Sequence, residues 1–381
     1  MLNSLIDALW QHLQSRFHPE NVTENGDHLV DLSPALQAQL TATINDLPSP
    51  AAYQSTIQAE VHTAINAWQS NLEAANSLVF LGSPVEAIAD ILHDSLPTDF
   101  DRSLKIITPL ACQRRPPDPL MLTEQIQQGL GQHPQLDINQ GQDPDHSPNL
   151  DSLKNRTTIM IIPCLDQLFL RCIGGWKGIE YLQKIVINHH HCFWVIGCNQ
   201  WAWNFLDFVC QLSAYFSEVK RLPKLDGEML EDWLDPIAET VNKMNPHQSN
   251  SVEKNNHRTS YWNALASQSA GISQIAVKLW LQSLRIDQSD EGDDSDHELS
   301  EQTLDEKKIT LTQTRPSLPS LPSLTNVDRY LLYSLLIHGR MTSHHLAFSL
   351  GQSQNQIQTR IQWLLRQGLL ERQGEMLSVQ A

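Results

Sequence analysis

The apolar positions of this chain change their period twice. Over residues 1–17, apolar side chains at positions 2, 5, 6, 9, 10 and 13 recur with the spacing of one helix face. Residues 48–76 repeat that stripe more weakly behind a Ser49-Pro50 start signal. At Ser77 the pattern becomes one of short continuous apolar runs: 77–82 (SLVFLG), 104–110, 157–162 and 192–197, with a last one near 216–221. Helical patterns separate them, over 84–92 and 121–130 and again from about Leu165 and Trp176. Strands that are apolar on both faces and alternate with helices predict an α/β fold, a mainly parallel five-stranded sheet covered on both sides. Beyond it, 225–240 reads as helix, and 261–284 as two helices hinged at Gly271.

The remaining pattern predicts a second domain behind a linker. Residues 244–256 are polar and read as loose, 287–305 are acidic, and the Pro-Ser-Leu repeats of 315–324 read as a semi-extended connection. The chain therefore divides into an N-terminal helical region (1–76), an α/β core (77–224), a helical lid (225–286), a linker (287–324) and a C-terminal domain (325–381). In that last part a helix over 327–338 puts Leu331, Leu332, Leu335 and Leu336 on one face. Thr342-Ser343 caps a short helix, 344–350, which Gly351 closes. Ser353-x-x-Gln356 is a capping box for a third helix reaching about Gln367. Gly368 ends it, and residues 369–379 read as a hairpin turning at Gln373-Gly374. Three helices and a hairpin in this order resemble the winged helix-turn-helix domains of MarR-like regulators and of initiator ATPases.

Charge narrows the choice of partner. The net charge is −17, so the molecule as a whole repels nucleic acid and anionic lipid. Residues 325–381, however, hold five arginines against Asp328, Glu371 and Glu375, a local +2 that leaves −19 for the rest. That asymmetry has the sign a nucleic-acid-contacting tail needs. Six cysteines (112, 164, 172, 192, 198 and 210) form no C-x-x-C pair and read as buried, reduced thiols. The N-terminal stretch carries Asp7 and lacks a basic lead, so it does not read as a signal peptide. No run approaches the ~18 apolar residues of a membrane span. The expectation is a cytoplasmic protein without a membrane span.

The order strand–Gly–helix, strand, strand–acid, strand–Asn, strand, helical lid resembles the AAA+ and STAND P-loop ATPases. The archaeal initiator type, which ends in a winged helix, is the architectural match. The resemblance implies a P-loop NTPase-like sheet and a nucleotide site, and it is there that this sequence departs. The family follows its first strand with G-x-x-x-x-G-K-[ST], whose N–H groups and lysine hold the phosphates. Here the segment reads Gly82-Ser83-Pro84-Val85-Glu86-Ala87-Ile88-Ala89, without the second glycine, the lysine or the magnesium-holding hydroxyl. Pro84 removes one N–H, and Glu86 puts a carboxylate where polyphosphate would lie. After the third strand the nearest acid is Asp166, which also reads as the N-cap of a helix over 167–171. Asn199 stands at the family's polar sensor position and equally reads as turn chemistry. The lid helix begins Gly271-Ile272-Ser273-Gln274 without the family's arginine. The site (Gly82, Ser83, Glu86, Asp166, Asn199) is therefore expected to be degenerate, with no catalytic residue and no ATP or magnesium as cofactor.

Other features divide between a bland and a functional reading. His189-His190-His191 reads as a polar turn rather than a metal site, because neighbouring side chains diverge by about 100° in a helix and 180° in a strand. Trp201 and Trp203 form either a partner-binding patch or a helix packing its rings on the sheet. With Ile357 of the third C-terminal helix at 0°, Ile361, Leu364 and Leu365 cluster on the core side at 100° per residue. Asn355, Thr359, Gln362 and Arg366 fall between about 140° and 200°, facing outward. Together with Gln356, Arg360 and Arg372 they are candidates for DNA contact. Three functions stay open: a non-catalytic scaffold whose winged helix binds DNA, an adaptor that docks protein partners or a second copy of itself, and a switch with an unorthodox ATP site.

Overall fold

The computed structural model describes residues 29–32, 34–96, 104–110, 114–133, 156–216, 218–242, 252–287, 310–314, 316–318 and 320–380. The helix expected over 1–17, most of the acidic linker and Cys112 lie outside them. The described residues fall into two compact units, one within Met1–Leu47 and Leu225–Pro322, the other within Pro48–Lys224 and Ser323–Ala381.

The second unit is an α/β layer structure. Its chain runs α1 (Ala51–Ser70), β1 (Ser77–Gly82), α2 (Ile88–Ser95), β2 (Lys105–Ile107), α3 (Met121–Gly131) and β3 (Thr158–Ile162). It continues with α4 (Lys177–Asn188), β4 (Cys192–Asn199), α5 (Gln200–Cys210) and β5 (Val219–Arg221). Every strand pairing in this sheet is parallel, in the order β2-β3-β4-β1-β5. All residues of β1 and β4 are buried, which is why both read as unbroken apolar runs. Helix α1 lays Tyr53, Ile57, Val61, Ile65 and Trp68 onto the sheet at four- and three-residue steps, the stripe seen in the sequence. The connections leave β1 and its neighbour β4 in opposite directions, so their carboxyl ends, Gly82 beside Asn199, open a crevice of the kind in which such sheets bind ligands.

A C-terminal module completes this unit: α6 (Asn326–His338), β6 (Met341–Thr342), α7 (Ser343–Leu350), α8 (Gln354–Arg366), β7 (Leu370–Gln373) and β8 (Met376–Val379). Its three strands form an antiparallel sheet in the order β7-β8-β6. The caps of α7 and α8 are those the sequence indicates, and α6 adds one that it did not. Thr325 and Asp328 form a capping box on α6, Thr342 accepts from the His345 N–H on α7, and Ser353 and Gln356 form a capping box on α8. Gly374, at φ 62°, begins the two-residue turn of the hairpin, one residue later than expected. The module does not keep its core to itself. Leu122 of α3 and Leu170 pack among Leu331, Leu335, Leu346, Ile357, Ile361 and Leu377. In return, Ile337 is buried in the core of the sheet.

The first unit holds helices over Pro34–Asn45, Gly227–Asn242, Val252–Gln268 and Ser273–Ser283. Residues 252–256, expected to be loose, are therefore helical. The second and third of these helices approach so closely that a Cβ on Gly227 would lie 2.4 Å from Asn263 Oδ1. Arg258 bridges them, its Nη2 2.6 Å from Asp235 Oδ2. Gly271 turns the chain between the last two helices at φ 71°. A three-stranded antiparallel sheet of Leu29–Asp31, Leu284–Asp287 and Thr310–Gln313 was not indicated by the sequence. No described helix is long and apolar enough to cross a membrane.

Candidate functional site

The loop leaving β1 folds back on itself. The Glu86 N–H donates to Ser83 O at 3.0 Å, the Ile88 N–H donates to Glu86 O at 3.0 Å, and Pro84 has no N–H to offer. Glu86 is buried and its Oε1 accepts from the Tyr53 hydroxyl of α1 at 2.9 Å. A Cβ on Gly82 would stand 3.4 Å from Glu86 Cβ and 3.6 Å from Ile88 Cβ, so the loop's own side chains lie against the glycine. The N-cap of α2 is Ala87, with no side-chain cap.

Beside this loop the crevice is filled by the chain itself. Asn199 caps α5 by accepting from the Ala202 N–H at 2.8 Å, and its Nδ2 donates to Ile337 O at 2.8 Å. Arg115 comes from the segment before α3 and is almost fully buried. Its Nε donates to Phe169 O at 3.0 Å, Nη1 to Arg340 O at 2.7 Å, and Nη2 to both Asp166 O and His338 O at 2.6 and 2.9 Å. The carbonyls at the end of a helix have no partner inside it and carry its negative pole. Asn199 and Arg115 satisfy two of them on α6, and so tie the C-terminal module to the carboxyl ends of β3 and β4.

Asp166 lies under this arrangement. It is not a helix cap, as the sequence suggested: it sits inside a single 3₁₀ turn, Leu165–Gln167, and Leu168, Phe169 and Leu170 that follow are buried rather than continuing a helix. Burial pushes its carboxyl up to about 6, against the pull of the Arg115 charge and of the Asn199 N–H. Its Oδ1 has no hydrogen-bond partner among the described residues. Burial likewise lowers the Arg115 guanidinium to about 10, with Asp166 acting in the opposite sense. His338 is fully buried. Burial first, then the Arg115 charge, hold it well below the ordinary imidazole value, and it is neutral. Arg171 completes the cluster, with Nη2 3.1 Å from Ser349 O and its guanidinium 5.9 Å from the Tyr333 ring centre. Arg115, Arg171 and His338 did not stand out in the sequence. The only hint was a basic pair, Arg114-Arg115, ahead of two prolines in an acidic chain.

No protein-family model matches the chain, and no curated protein matches it in sequence. Among solved structures, a RuvB mutant of Thermotoga maritima aligns over 86% of this chain and 91% of its own, at 13% identity and a TM-score of 0.33. Cdc6p from Pyrobaculum aerophilum aligns over 97% and 94%, at 12% identity and a TM-score of 0.29. The Aeropyrum pernix ORC1 protein, solved in complex with DNA, aligns over 88% and 90%, at 9% identity and a TM-score of 0.33. Overlaps this loose carry no weight for function, which rests on the chain's own residues.

The outward face of α8 is where the helical arithmetic put it. Asn355, Thr359, Gln362 and Arg366 are exposed, as is Arg372 on β7, opposite the buried Ile357, Ile361 and Leu364. Two of the seven candidates are engaged elsewhere. Gln356 Oε1 accepts from the Ser353 N–H and hydroxyl, both at 2.9 Å. Arg360 forms a two-pronged ion pair with the fully buried Asp328, Nε to Oδ1 at 2.7 Å and Nη2 to Oδ2, and stacks 5.0 Å from the Trp363 ring centre. The hairpin tip is also held, Glu375 pairing with Arg114 of the α/β part.

The structure also places the tryptophans, the histidine run and the cysteines. Trp203 is only 5% exposed, packed 6.1 Å from Phe216 in the sheet's core, and Trp201 lies 5.5 Å from Tyr333 of α6, so the pair is no open docking patch. Of the histidine run, His189 is buried with Nδ1 2.8 Å from Ile185 O, and no metal-binding group occurs among the described residues. Cys172, Cys192, Cys198 and Cys210 are free thiols, but Cys164 is disulfide-bonded, which corrects the expectation that all six are reduced.

Proposed function

We propose that this chain is a non-catalytic, AAA+-like scaffold whose C-terminal module is a winged helix-turn-helix that binds duplex DNA. One observation carries the reading: α8 buries one face and presents Asn355, Thr359, Gln362 and Arg366 on the other, with no acidic residue anywhere in the helix. Amides and guanidinium groups are the side chains that match base edges in the major groove. With few free arginines, release of counterions contributes little, so affinity falls only gently with salt. A nucleoside triphosphate has no part in this reading. A polyphosphate beside Gly82 would meet the Glu86 carboxylate, no lysine, and a loop whose Glu86 and Ile88 N–H groups already serve the loop itself.

Fluorescence polarisation with a labelled mixed-sequence duplex at low salt tests the proposal. Replacing both Arg366 and Arg372 with Glu should weaken binding by at least tenfold, since one base-reading contact is worth about 1–3 kcal/mol. Arg360 is left intact because its loss would disturb the fold. Equal affinity of the two proteins would remove α8 from the interface.

A further inference from the structure

His338 sits where α6 ends over the strand ends, and both of its ring nitrogens are committed. Nε2 lies 3.1 Å from the backbone nitrogen of Arg171, whose N–H can only donate, so Nε2 must present a lone pair. Nδ1, 3.5 Å from Asp166 O, then carries the ring's one proton and faces an acceptor. The Phe169 ring closes one side at 4.6 Å. Charged or titratable groups act on the imidazole from three neighbouring elements: Arg115 from the segment before α3, Arg171 from the loop that leads to α4, and His345 from α7; the turn after β3 offers it the Asp166 backbone carbonyl.

We propose that His338 makes the seating of the C-terminal module on the sheet a proton-sensitive latch. A proton added at Nε2 would turn the acceptor for the Arg171 N–H into a second donor and set a cation between two guanidinium groups. The seated state therefore requires the neutral ring, and acid favours release of the end of α6 from the strand ends. The inference does not depend on whether the module binds DNA.

The direction of the response follows from linkage. His338 is held well below its ordinary 6.5 when seated, so the released ring takes up the proton first and seating weakens as pH falls through that value. Asp166 acts oppositely. Seated, it titrates near 6 rather than 3.8, so the seated state takes up that proton first and is favoured as pH falls through 6. Between pH 7.5 and 5.5 a released ring of pKa 6.5 shifts the balance toward release by about tenfold, and Asp166 returns part of that. The net loss is therefore smaller than tenfold, and His345, lowered first by burial, adds in the same direction as His338.

Hydrogen exchange of the full chain, corrected for the intrinsic effect of pH, reads the latch through amide protection in residues 164–171 and 335–346. From pH 7.5 to 5.5, protection should fall by less than tenfold in the native protein and by about tenfold in Asp166→Asn, which lacks the opposing carboxyl. His338→Gln, whose amide oxygen can accept from the Arg171 N–H without titrating, should lose none. Acid loss in His338→Gln equal to the native protein's would overturn the proposal. If that variant does not fold, Asp166→Asn decides: a fall larger than the native one supports the latch, and an equal or smaller one overturns it.

Discussion

Arg115→Met should destabilise the unit that contains the sheet by about 3–5 kcal/mol, the range for removing one partner from a buried charged cluster. The guanidinium makes four hydrogen bonds, all to backbone carbonyls, at Phe169, Arg340, Asp166 and His338. Methionine fills much of the volume and meets none of those acceptors. Two of the orphaned carbonyls, at His338 and Arg340, belong to the C-terminal module, so the loss falls on the joint between module and sheet. The Asp166 carboxyl, already unpaired at Oδ1, would also lose the positive charge that favours its ionised form. Urea unfolding, followed separately for the two compact units, gives the number. A loss below about 1 kcal/mol would mean that water replaces these bonds freely and that the cluster is not a dry joint.

Asp328→Ala should cost about 2–4 kcal/mol through a different mechanism, adding the loss of an N-cap partner to that of charge-assisted hydrogen bonds. Asp328 is fully buried, accepts from the Thr325 N–H at 2.8 Å to complete the capping box of α6, and receives both prongs of Arg360 from α8. One carboxylate thus starts α6 and fixes α8. Burial alone would raise its pKa, but Arg360 and Thr325 outweigh that and hold it below the usual carboxylate value. A lowered folded-state pKa gives stability that is present above the ordinary value and lost as pH falls through the lowered one. The gap between Asp328→Asn and the native protein should therefore be wide at pH 7 and close in strong acid. A double-mutant cycle with Arg360→Met should show a coupling of about 0.5–3 kcal/mol, and simple additivity would contradict the two-pronged pair.

Legibility in the sequence followed the range of the interactions. β1 and β4 were legible because a strand covered on both faces must be apolar throughout, and Ser353 with Gln356 announced α8 because a capping box closes within four residues. The 29–31, 284–287 and 310–313 sheet was hidden, being three or four residues per strand, with the 29–31 strand paired across more than 250 positions of chain. Asp166 misled because an acid near the start of a helix-like stretch usually caps it, whereas here Leu168, Phe169 and Leu170 turn inward to the core. Trp203 stayed between two readings for a related reason, since composition counts rings but does not say which way they face.

The candidate site divides along the same line. The loop at Gly82–Glu86 could be judged residue by residue against a phosphate cradle, whereas its internal hydrogen bonds, Glu86 N–H to Ser83 O and Ile88 N–H to Glu86 O, could not be read from sequence. Asn199 was visible, but its second partner, Ile337, lies 138 residues away. Arg115 was invisible as a keystone because its acceptors are backbone carbonyls up to 225 residues distant, and a carbonyl has no signature in sequence. Arg360 illustrates a smaller lapse. At 100° per residue from Ile357 it falls near 300°, on the flank toward α6 rather than on the outward face, so geometry alone could have separated it from Arg366.

Titration calorimetry of the full chain with ATP and magnesium most directly tests whether the strand ends that would take a ligand are instead occupied by the chain itself. No saturable heat should appear at millimolar nucleotide, and the melting temperature should not rise, since only a ligand that binds the native state raises it. Saturable binding that disappears on replacing Glu86 or Asn199 would place a nucleotide among these residues and contradict the filled crevice.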